Sequence, residues 1–248
     1  MDHANEERSR LPHVVLDAPS RVLKAEKIVA LLGAERFAKA RRVLEIGCGS
    51  GVIASTLKRM GAPDLEVHAV DVVDSRLTQD GFEFRLVEGT TLPYDDDAFD
   101  VVITNHVIEH VGDIDAQLHH LSEIRRVLRR DGRVYLAVPN AWRLVEPHFR
   151  LPLLSWLPRP LADRYVRATG KGTHYDCVPL AHGEAIALFD RGGFRSCDAT
   201  IDGLRTTLAL EFPRNRIATF LRTHVPDAAI ALGMPIMPTF IFLLDPKP

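Results

Sequence analysis

Three groups of residues in this chain have the types and spacing to do chemistry. The first is Val43-Leu44-Glu45-Ile46-Gly47-Cys48-Gly49-Ser50-Gly51, where strand-favouring residues run into a loop with glycine at every second position. Glycine lacks Cβ, so the backbone can turn sharply and approach a ligand closely. A strand, such a loop and a following helix form what a nucleotide-like ligand needs. The second is Asp71, which closes the next strand about 20 residues further on, where a carboxylate can accept both ribose hydroxyl hydrogens. Its plain alternative is a cap for the next turn. The third is Asn105-His106-Val107-Ile108-Glu109-His110. Histidine suits proton transfer near neutral pH. The His-x-x-Glu-His spacing also matches an inverted zinc-protease pattern, but it begins at a strand end rather than on a helix, so no metal is expected. The glycine spacing is G-x-G-x-G, with Val52 where a dinucleotide fingerprint needs glycine, which speaks against a nicotinamide oxidoreductase.

These residues need elements to hold them. Val52 to Met60 reads as a helix behind the loop, and Leu65 to Val70 as the second strand. Alternation of strand and helix from Val43 to Asn140 implies a parallel sheet with right-handed crossovers. Ala18 to Lys39 forms one or two helices, with Pro19 at a helix start. Asp74 is placed to cap a short helix. After the fifth strand, Val134 to Val138, come a helix over Leu180 to Arg191, a strand around Arg195 to Ile201 and a last strand, Thr239 to Leu244.

The ordered set resembles the class I S-adenosylmethionine-dependent methyltransferases. Glu45 to Gly51 is similar to their motif I. Val87-Glu88-Gly89-Thr90-Thr91-Leu92-Pro93-Tyr94 is similar to a stretch that surrounds the adenine, with Thr90 standing where that family has aspartate. Ile108-Glu109-His110-Val111, then Arg126-Val127-Leu128 and Asp131-Gly132, follow as they do in the ubiquinone/menaquinone-biosynthesis type. The resemblance implies a three-layer, Rossmann-like α/β sandwich. Its sheet would be mostly parallel and seven-stranded, its last strand antiparallel, with a helical or irregular lid insertion. It implies a cofactor held by Glu45, Gly47, Cys48, Gly49, Gly51, Asp71, Val72, Gly89, Thr90, Thr91, Leu92, Asn105 and His106. Cys48 itself reads as a small buried residue. It also implies methyl transfer to a small-molecule acceptor, at oxygen or else at carbon or nitrogen. His106 is the candidate base at the methyl end, with packing against the cofactor as its alternative, and His110 stands one helical turn on. Some quinone-pathway relatives hold a divalent metal with E-x-x-E-H; His106 replaces their first glutamate, which disfavours a hard cation.

The bulk properties fit this. Hydrophobic content of 46% and charged content of 26% are those of an ordinary globular protein. A net charge of −2 supplies no field toward nucleic acid. A nucleic-acid methyltransferase and a non-catalytic binding protein of the same fold remain the rivals. Cys48, Cys177 and Cys197 are dispersed and suggest neither disulfides nor zinc. Met1 to Arg10 is polar, without a signal peptide, and a cytoplasmic monomer or homodimer is expected. Ala228 to Leu244 is uncharged, but Gly233, Pro235 and Pro238 interrupt it, so it reads as a helix end, a turn and a strand rather than a membrane span. One domain is expected over 1–248: a helical cap over 1–42, a cofactor core over 43–140, a substrate insertion over 141–180, and a tail over 181–248 that completes the sheet. The insertion holds Trp142 and Trp156, and Arg143, Arg150, Arg159, Arg164, Arg167 and Lys171 outnumber Glu146 and Asp163. A solvated packed lid, a lid that reads the substrate, and a surface for peripheral membrane contact are all open. Trp142, His174 and Tyr175 are its candidate substrate residues.

Overall fold

The computed structural model describes residues 17–146 and 148–248. The polar start Met1–Arg10 and the first part of the N-terminal cap lie outside the described residues. Among the described residues two helices come first, α1 (Ala18–Leu32) and α2 (Ala34–Lys39). The chain then runs through β1 (Arg42–Ile46), α3 (Val52–Met60), β2 (Glu66–Asp71), β3 (Glu83–Leu86), β4 (Phe99–Asn105), a 3-10 turn (Ile108–His110), α4 (Ile114–Val127) and β5 (Leu128–Pro139). The insertion contributes the short hairpin β6 (Val145–Glu146) and β7 (Leu151–Pro152) and the helix α5 (Arg159–Ala168). The tail holds α6 (His182–Arg191), β8 (Phe194–Asp198), α7 (Thr200–Glu211), α8 (Arg216–His224), α9 (Asp227–Ala231) and β9 (Thr239–Pro246).

Seven strands form one sheet in the order β3-β2-β1-β4-β5-β9-β8. β1, β2, β3, β4 and β5 pair in parallel, and β9 runs antiparallel to both β5 and β8. Successive strand residues enter opposite cores, as the two-residue period requires. Leu44, Ile46, Leu136 and Val138 pack with Leu121 and Ile124 of α4 and Phe189 of α6. Val43, Ile103, Tyr135 and Ala137 pack with Ile28 of α1, Phe37 of α2 and Leu57 of α3. Both faces are therefore covered, which gives the three layers and explains the near-continuous apolar runs of the central strands. Each fully buried aliphatic side chain here contributes about 1.5–3 kcal/mol. The chain leaves β1 toward β2 and β3, then returns to place β4 on the other side of β1. That reversal opens a crevice at the carboxyl ends of β1 and β4, the position where open α/β sheets hold ligands.

Several elements differ from the sequence expectation. No helix follows Asp74, whose carboxylate instead holds the Arg76 guanidinium at 2.8 and 2.7 Å. That segment lies against the glycine loop through Leu77 N–H and Ser50 O, 2.9 Å apart. β5 begins earlier than Val134, at Leu128. The strand expected over Arg195 to Ile201 ends at Asp198, because that side chain accepts the Thr200 N–H at 2.8 Å and opens α7. Among the described residues, no helix is long and apolar enough to cross a membrane. Ala228 to Leu244 is, as expected from its sequence, the end of α9, a 3-10 turn and part of β9.

Candidate functional site

The glycine loop owes its shape to three left-handed residues, Gly47 (φ 73°), Gly49 (φ 50°) and Gly51 (φ 73°). Side chains with Cβ disfavour these angles. Gly47 N–H and Cys48 N–H both donate to Val70 O, at 2.9 and 3.3 Å, and so dock the loop on β2. Gly49 N–H donates to Asp71 Oδ2 at 2.8 Å, and Val72 N–H to Oδ1 at 2.8 Å. Asp71 thus straps the loop, a role the sequence did not reveal, and each oxygen keeps lone-pair capacity for further donors. Gly51 faces away from the crevice; a Cβ there would lie 2.8 Å from Thr78 O. Cys48 is buried, and burial pushes its thiol pKa up, which leaves it an unreactive small residue.

The crevice is lined by Gly47, Asp71, Val72, Gly89, Thr90, Leu92 and His110 among the residues expected from sequence, joined by Val107, Val111 and His120. Glu45, Cys48, Gly49, Gly51, Thr91, Asn105 and His106 are not in its wall. Thr91 is exposed. Glu45 lies behind the loop, fully buried, with Oε2 lacking a hydrogen-bond partner among the described residues. Burial pushes its carboxyl up to about 8, against the opposing effects of the Ala54 N–H and Arg21. Asn105 Oδ1 and Thr104 Oγ1, at the end of β4, are likewise buried without hydrogen-bond partners among the described residues.

The wall over Gly89–Leu92 is held from behind by α4. Leu92 N–H donates to Glu123 Oε2 at 2.8 Å, and Arg126 donates to Leu92 O at 2.9 Å and Tyr94 O at 2.6 Å. Arg126 also grips both Glu123 oxygens at 2.8 Å, which holds that carboxyl down at about 2. Thr90 Oγ1 meets His119 Nδ1 at 2.6 Å. Arg126→Ala is expected to loosen this wall and weaken cofactor binding about tenfold, a loss of roughly 1.4 kcal/mol. Titration calorimetry against S-adenosylhomocysteine, beside a thermal melt, checks it.

The histidines divide differently from the expectation. His106 has a left-handed backbone (φ 59°), a strained state for a residue with Cβ. Its ring turns out of the crevice, with Nδ1 3.4 Å from Glu109 Oε1 and Nε2 3.5 Å from Thr239 Oγ1. His110 faces the crevice, its Nε2 3.8 Å from the same buried carboxylate. His120 is the residue sequence reasoning missed. It lines the crevice, is buried, and its Nε2 has no hydrogen-bond partner among the described residues. Burial holds its pKa down at about 4, so the ring is neutral. The available signal was the inward stripe Gln117, His120, Leu121, Ile124 at helical spacing.

None of the three substrate candidates reaches the crevice wall. Trp142 is exposed and sits edge-on to Trp156, with centroids 5.8 Å apart. His174 is exposed and meets Thr173 at 3.0 Å. Tyr175 is taken up by the insertion's own small core, against Phe149, with its hydroxyl 3.2 Å from Ser155 Oγ.

Residues 44–136 match the family model described as a methyltransferase domain. The chain is 27% identical over 169 residues to a ubiquinone biosynthesis O-methyltransferase of Brucella anthropi, covering 63% of this chain and 61% of that protein. It is 26% identical over 132 residues to the protein of that name from Bartonella bacilliformis, covering 49% and 52%. The chain thus spans only about half to three-fifths of the length of these relatives. An S-adenosylmethionine-dependent methyltransferase structure from Mesorhizobium loti superposes with a TM-score of 0.56 at 15% identity, covering 90% of this chain and 97% of the other, and shares the fold. A strand–glycine loop–helix at a topological reversal, an acidic end to β2 and this family match converge. Residues 44–136 thus match a methyltransferase domain, and the chain shares its fold with an S-adenosylmethionine-dependent methyltransferase.

Proposed function

We propose that this chain transfers a methyl group from S-adenosylmethionine to a small-molecule acceptor, at a hydroxyl oxygen. The observation that carries this reading is the crevice. It gathers Gly47, Asp71, Gly89, Thr90 and Leu92, from separate segments, around the carboxyl ends of β1 and β2. The name carried by the relatives favours an oxygen acceptor.

The unpartnered buried groups fit such a cofactor. Asp71 keeps acceptor capacity for ribose hydroxyls. Glu45 Oε2 and Asn105 Oδ1, just behind the crevice wall, are acceptors without donors among the described residues, suited to an ammonium group. Val72, Val87 and Leu92 offer an apolar slot for a flat base, and His120 a neutral imidazole at its side. When bound, the cofactor supplies an electrophilic methyl on a sulfonium. The protein's part is to orient, and orientation is worth on the order of 7–11 kcal/mol in favourable intramolecular models. The proton of an acceptor hydroxyl would pass to His110, which faces the crevice with the buried Glu109 carboxylate behind it.

Asp71→Ala is expected to lower affinity for S-adenosylhomocysteine by about 10–100-fold, since it removes charge-assisted hydrogen bonds and also the strap on Gly49. Calorimetry reads that loss. The reading itself is tested by incubating the protein with radiolabelled S-adenosylmethionine and separate panels of phenols, amines, carboxylic acids and RNA. Label on a phenol or alcohol is expected. Label on RNA alone, or on nothing while the cofactor binds, would overturn it.

A further inference from the structure

The polar cluster at the crevice edge continues into the insertion. His110 ends the 3-10 turn after β4, His148 lies between β6 and β7, and Cys177 follows Tyr175 on the way back to α6. One ligand atom from each of the three lies within 4.8 Å of the others. Cys177 Sγ is 3.6 Å from His110 Nδ1, and the two imidazole centroids are 4.8 Å apart. With Zn–S about 2.3 Å and Zn–N about 2.05 Å, a tetrahedral angle sets sulfur and nitrogen about 3.6 Å apart.

We propose that His110, His148 and Cys177 bind one divalent cation of the zinc class, joining the insertion to the sheet at the edge of the crevice. The donor set decides the cation. Two imidazoles and a thiolate select zinc-like ions, whereas magnesium and calcium take oxygen ligands. This departs from the expectation of no metal. It uses only His110 of the His-x-x-Glu-His segment, and His106 takes no part. The surroundings suit metal-bound histidines, which are usually oriented by a carboxylate on the far side of the ring. Glu109 Oε1 is 3.8 Å from His110 Nε2, the nitrogen opposite the one facing Cys177. Glu146 Oε1 is 3.9 Å from His148 Nδ1. Both carboxylates are buried.

Three protein ligands leave a fourth position, as in zinc sites that take an oxygen ligand. Of the three ligands, His110 is the one that also lines the crevice. His110 then acts as a ligand rather than as a base. This last consequence rests on the methyl-transfer reading, while cation binding does not.

The test uses the whole chain, stripped with a chelator, kept reduced and titrated with Co2+. One equivalent is expected to bind with a thiolate-to-cobalt charge-transfer band, and Zn2+ should displace it. Cys177→Ser should lose the band. His148→Ala should bind cobalt more weakly by more than the roughly 10–100-fold that losing an outer carboxylate partner costs. Cys197→Ser, at an exposed thiol outside the cluster, should keep the band. Circular dichroism confirms that each variant folds. No charge-transfer band in the unmodified protein, or one that survives Cys177→Ser, would overturn the proposal. Binding of S-adenosylhomocysteine, measured in parallel, separates failure of the methyl-transfer reading from failure of the metal site.

Discussion

Gly47→Val should remove measurable binding of S-adenosylhomocysteine while the protein still folds. A Cβ at Gly47 would lie 2.4 Å from Val107 Cγ2, far inside contact distance, and Val107 is itself part of the crevice wall. Val107 is β-branched and has few rotamers to yield with. The residue also has φ 73°, which costs roughly 1–2 kcal/mol for any side chain. Valine adds two more methyl groups at the point where the backbone must lie flat against a ligand. Strain and blocked space together should exceed about 3 kcal/mol, or more than 100-fold in affinity. Gly89→Ala separates the two causes. Gly89 has φ 65°, but a Cβ there meets nothing within 4 Å. It should therefore show the strain alone, about tenfold or less. Calorimetric titration of both variants, with thermal melts to confirm folding, gives the comparison. Equal losses in the two would show that backbone strain, and not space beside Val107, governs the loop.

The second large effect is electrostatic and belongs to Glu45. Its carboxyl titrates at about 8 in the folded chain, against 4.5 as the ordinary value. In the unfolded chain this group loses its proton as pH rises through 4.5, while the folded chain retains it up to about 8. Folding stability tied to Glu45 is therefore whole below pH 4.5 and declines as pH rises toward 8, the reverse of a salt-bridged carboxylate. The decline is on the order of 3–5 kcal/mol. Glu45→Gln should flatten that slope and make the cofactor-free protein more stable at pH 8, read from urea unfolding at several pH values. A steep slope that persists in Glu45→Gln would assign the titration to another group. The same group should couple to the ligand. An ammonium beside Glu45 favours the ionised form, so binding near pH 7 should release a proton. Binding enthalpy would then vary with the ionisation enthalpy of the buffer in the unmodified protein and not in Glu45→Gln.

How much of this was legible in the sequence depended on how local the signal was. The loop Gly47–Gly51 and the acidic end of β2 are each encoded within a few residues, and the structure has them where expected, while the strand–helix alternation lapses from β2 to β4, which follow one another without a helix. His120 was not found because an inward helical stripe predicts burial but not which buried residue meets a crevice. Asp71's bond to Gly49 depends on strand register, which no single segment specifies. The helices α7 and α8 went unseen because their apolar faces are thin. Ile217 and Phe220 stay exposed, and Asn215 starts α8 by capping it. Trp142, His174 and Tyr175 were drawn toward the crevice by residue type and by their place in the insertion. The insertion uses Tyr175 to build its own core, a choice visible only when Phe149, Leu151 and Val166 are brought beside it. The meeting of His110, His148 and Cys177 is likewise a product of tertiary packing.

The most direct measurement is a crystal structure of the complex with S-adenosylhomocysteine. The ligand should lie between the Gly47 loop and the Gly89–Leu92 wall, its ribose hydroxyls on Asp71 and its amino group near Glu45 and Asn105. A ligand bound elsewhere on the sheet, or one in the crevice that leaves Asp71 uncontacted, would contradict the account.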